Sequence, residues 1–138
     1  MKISFTVPGE PIGKGRPRFA RRGAFVSTYT PEPTARYENL VKLAASTVMN
    51  GAPLIEGACA MTLLALVSVP ASWSQKKRQA ALDGLIRPTT KPDLDNILKG
   101  VCDALNGIIF KDDKQVAHVS AAKWYAATPR LEVSVESL

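Results

Sequence analysis

The stretch from Ala58 to Val69, ACAMTLLALVSV, is almost unbroken apolar chain, interrupted only by Thr62 and Ser68. It is too short to cross a membrane, which takes about 20 residues. Pro70 closes it. Such a run reads as the central strand of a sheet, with cover expected on both faces. The rest of the chain must then supply flanking strands and covering helices. At 138 residues there is enough chain for one domain with a real core.

Those elements can be read in order. Ile3, Phe5 and Val7 alternate with Lys2, Ser4 and Thr6, which is a half-buried strand ended by Pro8-Gly9. Residues 11–30 follow, where Gly13, Gly15 and Pro17 argue against regular structure until a second short strand over Gly23 to Thr28. Thr30-Pro31-Glu32 starts a helix with a cap, a proline at its first position and an acid in its first turn. Tyr37, Leu40, Val41, Ala44 and Val48 give that helix an apolar face, and Asn50-Gly51 ends it. After the apolar run, Ser72 or Ser74 caps a second helix over roughly Gln75 to Leu82, broken by Asp83-Gly84. Val116 to Tyr125 has strand-like content. Leu131, Val133 and Val135 alternate with polar neighbours in a final strand, with Thr128-Pro129 turning between the two. With a third helix after Pro92, the order is β-β-α-β-α-α-β-β. That predicts a single α/β (α+β) domain over 1–138, a mixed β-sheet packed with helices.

Charge narrows the partner. Eighteen Lys and Arg face twelve Asp and Glu, a net charge of +6, and nucleic acid is the first acidic partner to consider. The loop 11–30 carries Lys14, Arg16, Arg18, Arg21 and Arg22 and no acid, with Phe19, Phe25 and Tyr29 interleaved. Arginine binds phosphate in a bidentate way. Gly13-Lys14 does not make a phosphate loop, because GxxxxGK[ST] is not met, so no nucleotide cofactor is expected. Between Ser72 and Pro92 stand Lys76, Lys77, Arg78, Arg87 and Lys91 against Asp83 alone. Lys14, Arg16, Arg18, Arg21, Arg22, Lys76, Lys77, Arg87 and Lys91 are therefore the candidate DNA contacts. The plainer reading of the first stretch is a solvated basic hairpin, and of the second a solvated helix plus linker. Cys59 and Cys102 read as small buried hydrophobes, and with one histidine in the chain no zinc-ligand spacing occurs. His118 reads as structural. The N-terminus lacks a signal peptide's apolar core, so a cytoplasmic protein with no membrane partner is expected.

The acids are not spread evenly. Lys91 to Gln115, KPDLDNILKGVCDALNGIIFKDDKQ, holds five of the six aspartates. Leu94, Ile97, Leu98, Val101, Cys102 and Leu105 form one apolar helical face, and Asp95, Lys99 and Asp103 recur on the opposite one. Pro92 marks the start, Asp93 is a candidate N-cap, and Asn106-Gly107 supplies the stop. The segment Ile108-Ile109-Phe110 then leads to Asp112-Asp113. Two readings follow from this spacing. In one, Asp93 caps the helix, Asp95-Lys99-Asp103 is an ion-pair ladder and Asp112-Asp113 is a turn. In the other, carboxylates at the helix start and after the short return converge, which needs a proton or a cation between them, and Mg2+ is a natural bridge.

The residues Asp93-Leu94-Asp95-Asn96, Lys99, Asp103-Ala104-Leu105 and Asp112-Asp113-Lys114-Gln115-Val116 resemble the signature of the RusA family of Holliday-junction resolvases. The close match covers about a fifth of the chain. The resemblance implies a RusA-like endonuclease domain, homodimeric and Mg2+-dependent, with Mn2+ as a substitute ion. Its substrate would be branched DNA, the four-way junction, cut by paired nicks during recombination and repair. It implies metal-binding roles for Asp93, Asp95 and Asp113, with Asp112 as the substitute ligand, and a catalytic or DNA-contacting role for Lys99. Asp103 lies two turns beyond Asp95, roughly 12 Å along the axis, and is expected to orient Lys99 rather than share the ion. The alternatives are a nuclease for other branched DNA and a non-catalytic basic DNA-binding module.

Overall fold

A computed structural model describes residues 1–15, 18–23, 25–29 and 32–138, and for 18–22 and 25–29 the backbone alone. In chain order the elements are β1 (Lys2–Pro8), β2 (Arg18–Arg22), β3 (Phe25–Tyr29), α1 (Glu32–Met49), β4 (Cys59–Val67), α2 (Gln75–Leu82) and α3 (Leu94–Leu105). A short 3-10 turn (Asp113–Gln115), β5 (Val116–Tyr125) and β6 (Arg130–Ser137) complete them. The apolar run becomes β4, a middle strand of a four-stranded sheet ordered β1-β6-β4-β5. It pairs antiparallel with β6 and parallel with β5. A parallel neighbour needs a long crossover. Here the crossover carries α2 and α3, so the aspartate-rich helix is brought onto the sheet by the same connection that pairs β4 with β5.

Helix α3 buries Ile97, Val101, Ala104 and Leu105 in one core with Met61, Leu63, Leu131 and Val133 of the sheet. Apart from Ala104, each such side chain contributes about 1.5–3 kcal/mol on burial. Helix α1 packs on both α3 and β1. The polar edge of α3 is thereby fixed to a rigid floor, with α1 at its flank.

Three expectations are corrected. Among the described residues cover is complete on one face of β4 and partial on the other: Met61, Leu63 and Ala65 are fully buried, whereas on the second face Thr62 is exposed, Leu64 half-buried and Leu66 buried. Helices α1 and α3 both join the core on the first face. The second, lined by Ser4, Thr6, Thr62, Leu64, Glu132 and Ser134, is an open cleft of about 300 Å³. The apolar face of α1 is also rotated from the one expected. Thr34, Tyr37, Val41, Ala45 and Met49 are buried, while Leu40 and Val48 are exposed, because the contact follows steps of about four residues. Finally, residues 18–22 are not irregular: as in the plainer reading of this stretch, β2 and β3 form an antiparallel hairpin, with Arg22 opposite Phe25. Gly23, at φ 61°, gives that tight turn its left-handed backbone. The second helix spans Gln75–Leu82 as expected, and of its two candidate caps Ser74 serves, accepting from the Lys77 N–H.

Candidate nuclease site

The N-terminus of α3 leaves its acids available. Asp93 occupies the N-cap position in an extended conformation, yet its carboxylate accepts no capping hydrogen bond. Asp95, in the first turn, accepts among the described residues only the adjacent Asn96 N–H, at 3.0 Å. Both are exposed, and the helix dipole favours their charge. The chain entering the helix is held from β5: the Lys123 ammonium donates to the Thr90 carbonyl (2.8 Å) and the Pro92 carbonyl (3.1 Å). Lys123 went unnoticed in the sequence, where the only signal is one cation among the apolar and small residues of β5. A cleft of about 410 Å³ opens beside Asp93, lined by residues 11–15, Lys91, Pro92 and Asn96.

Asp103, two turns along, is fully engaged. One carboxylate oxygen accepts from the Lys14 ammonium at 2.6 Å, and the other pairs with Lys99 at 3.2 Å. Lys14 also pairs with Glu38 of α1 at 3.0 Å. Burial works against the charge of Asp103, but the bonds from Lys14 and Lys99 outweigh it and hold its pKa below the ordinary value. For Lys99 the Asp103 bond and charge dominate and raise the pKa, with Asp113 adding to them. Lys99 is therefore a firmly protonated, exposed cation with a fixed anchor.

The 3-10 turn sorts the last two aspartates. Asp112 is its N-cap: the carboxylate accepts the Lys114 N–H at 2.9 Å, and Gln115 Oε1 accepts the Asp112 N–H at 3.1 Å. The Lys114 N–H lowers the Asp112 pKa. Gln115 in turn donates to the carbonyls of Ile55 and Gly57. Asp113, half-buried, is close enough to α3 for its charge to act on Lys99 and Cys102. Burial is the main force pushing the Cys102 thiol up to about 11, so it stays protonated.

The cations expected on DNA fall in four groups. Arg16 lies outside the described residues, as do the side chains of Arg18, Arg21 and Arg22. Lys14 is an internal tie between the 11–15 loop, α1 and α3, not a free surface cation. Arg87 stacks 3.3 Å above the Trp124 ring and donates twice to the Lys123 carbonyl, while Lys77 sits over the Trp73 ring. Lys76 and Lys91 are exposed, and so is His118.

Hard carboxylate oxygens at an exposed helix start suit a divalent cation of the Mg2+ kind. Among the described residues no three of His, Cys, Asp and Glu stand close enough to hold an ion together. Asp93 and Asp95 would thus supply one or two ligands beside water and phosphate, which is how Mg2+ is commonly bound.

Sequence comparison agrees with the class of protein this fold and acidic helix define. The family model of the endodeoxyribonuclease RusA matches residues 8–136, and the chain belongs to the RusA family of nucleases. Nucleases of this family are generally dependent on a divalent metal. The chain is 41% identical over 138 residues to the uncharacterized protein YqaN of Bacillus subtilis (strain 168), covering 99% of this chain and 96% of YqaN. Among the described residues no helix is long and apolar enough to cross a membrane.

Proposed function

We propose that this chain is a Mg2+-dependent endonuclease that cuts four-way DNA junctions, with its reacting centre at the N-terminus of α3. The observation that carries this reading is Asp93: an aspartate at an N-cap that caps nothing, next to a second exposed carboxylate in the first turn. A helix start that needed only a cap would be expected to use the side chain for it. Bound there, Mg2+ (or Mn2+ in its place) would polarise the scissile phosphate and activate a water. Asp93 and Asp95 are its proposed ligands; Asp113 does not stand with both of them in one cluster among the described residues, and would have to close on the ion to serve as the third.

The chain's own residues have separable tasks. Lys123 fixes the backbone that presents Asp93. Lys99, about one turn from Asp95, offers a permanent positive charge to a non-bridging phosphate oxygen. Lys91 and Lys76 add electrostatic affinity for the DNA backbone, together with the arginines of the 11–30 stretch. Paired nicks on a two-fold symmetric junction call for two such sites, which a C2 homodimer supplies.

Cleavage of a synthetic four-way junction, with Mg2+ and with EDTA, tests the proposal. A three-way junction and a linear duplex serve as comparisons. Metal-dependent cutting confined to the four-way junction supports it; equal cutting of the three-way junction would widen the substrate to branched DNA in general. Binding without cleavage at saturating Mg2+ would make the protein a DNA-binding module. Sedimentation equilibrium at micromolar concentration tests the dimer.

A further inference from the structure

The four charges midway along α3 form one chain of contacts, Glu38–Lys14–Asp103–Lys99, that runs from α1 to the proposed phosphate-facing cation. Its two middle members are mostly shielded from solvent, with 21% and 22% side-chain exposure, whereas Lys99 is 63% exposed. The shielded part is built, not incidental. The Lys14 N–H donates to the Asn96 carbonyl at 3.0 Å, and the Gly15 N–H donates to the hydroxyl of buried Thr34 at 3.0 Å. A side chain at position 13 would press on the Asn96 Cβ at 3.0 Å, and one at position 100 would touch Lys14, so glycine lets the loop lie flat on the helix. The loop is thus fastened to both helices, and its one charged side chain reaches Asp103.

We infer that Lys14 is a positioning residue for Lys99, acting through Asp103. With one carboxylate oxygen taken by Lys14, only the other is left for Lys99, and the carboxylate cannot rotate freely. Glu38 holds Lys14 from the far side and balances its charge. Without Lys14, Asp103 would be free to turn and to take the Lys99 ammonium with both oxygens, drawing it back along the helix and away from Asp95. This inference rests on the proposed role of Lys99 and adds two residues, Lys14 and Glu38, to the machinery around it.

The test is a rate cycle on the full-length protein with a four-way junction in Mg2+, using single-turnover cleavage corrected for the folded fraction, and Kd measured separately. Misplacing a reacting group by about 1 Å can cost up to a hundredfold, so Lys14→Met and Asp103→Asn should each slow cleavage by about tenfold, with Kd within about twofold. The double variant should be no slower than either single one, because both act on the same path. Lys14→Arg, which keeps a cation for both carboxylates, should recover most of the rate. If Lys14→Met fails to fold, Glu38→Gln carries the same cycle, with a smaller loss that vanishes in the Asp103→Asn background. Weakened Kd at unchanged rate would make Lys14 a DNA contact and overturn the inference. Losses that multiply in the double variant, or an unaffected rate, would overturn it too. Lys99→Met bears on the reading beneath: wild-type cleavage by that variant would remove the role of Lys99 itself, whereas slow cleavage by it with no Lys14–Asp103 coupling would sink the positioning role alone.

Discussion

At its first turn, helix α3 exposes Asp93 and Asp95, and among the described residues almost nothing is bonded to their carboxylates. Two turns later the same helix holds Asp103 between two ammonium groups, with a second acid, Glu38, closing the network. The residue type is the same and so is the helix; the surroundings differ. Near Asp103, α1 and the 11–15 loop crowd the helix, and a charge left unpaired there would be costly. At the N-terminus there is open cleft, and free carboxylates are tolerated because water and the helix dipole stabilise them. Paired acids build the frame. Unpaired ones remain for a ligand to engage.

Substitutions can break this contrast. Asp93→Asn keeps the shape of an N-cap residue and removes the charge, so stability should hardly move while cleavage drops by at least about a hundredfold. Thermal melts beside a junction-cleavage assay check both halves. The neighbouring aspartates of the 3-10 turn should divide likewise. Asp113→Asn is expected to slow cleavage strongly, whereas Asp112→Ala should lower stability through loss of the cap, with a smaller effect on rate. A rate loss confined to Asp112→Ala would exchange the two assignments.

The Asp103 end should respond in stability. Asp103→Ala leaves Lys14 with Glu38 alone in a confined place, at a cost of about 2 kcal/mol. Acid should mimic it. Because the folded-state pKa of Asp103 is depressed, its contribution is complete above the ordinary carboxylate value of 3.8 and is lost as pH falls through the lower folded value. Wild type should therefore show a steeper acid limb of stability than Asp103→Ala, as urea titrations across that range would measure. The smallest effects come from the glycines under the loop. Gly13→Ala meets the Asn96 Cβ at 3.0 Å and should cost about 1 kcal/mol. Gly100→Ala finds ordinary contact at 3.5 Å and gains helix propensity, so it should be neutral or stabilising by up to about 1 kcal/mol. Equal costs at both positions would mean that the loop does not rest on α3 as described.

Much of this was legible in the residues. The apolar run of β4, the Ser74 cap and the stripe of α3 are local patterns, and local chemistry decides them. The covered face of β4 was not legible, because an alternating burial hides when Ala60 and Leu64 occupy the open side. The rotation of α1 depends on which neighbours it meets, which periodicity alone does not give. The hairpin arginines looked irregular because glycines and a proline precede them, yet pairing with β3 overrides that signal. At the site, Lys14 read as one more cation in a basic loop. Its partners Glu38 and Asp103 lie 24 and 89 residues away, and only the packing of α1 on α3 brings them together.

The most direct test of the contrast is to assay Asp95→Asn and Asp103→Asn side by side on a four-way junction at saturating Mg2+, with binding measured in parallel. Both variants should bind the junction, and loss of acid near the phosphates could tighten binding by Asp95→Asn. Asp95→Asn should show no cleavage, while Asp103→Asn should keep a reduced but measurable rate. Near-normal cleavage by Asp95→Asn, or complete loss in Asp103→Asn alone, would contradict the assignment of the reacting centre to the first turn of α3.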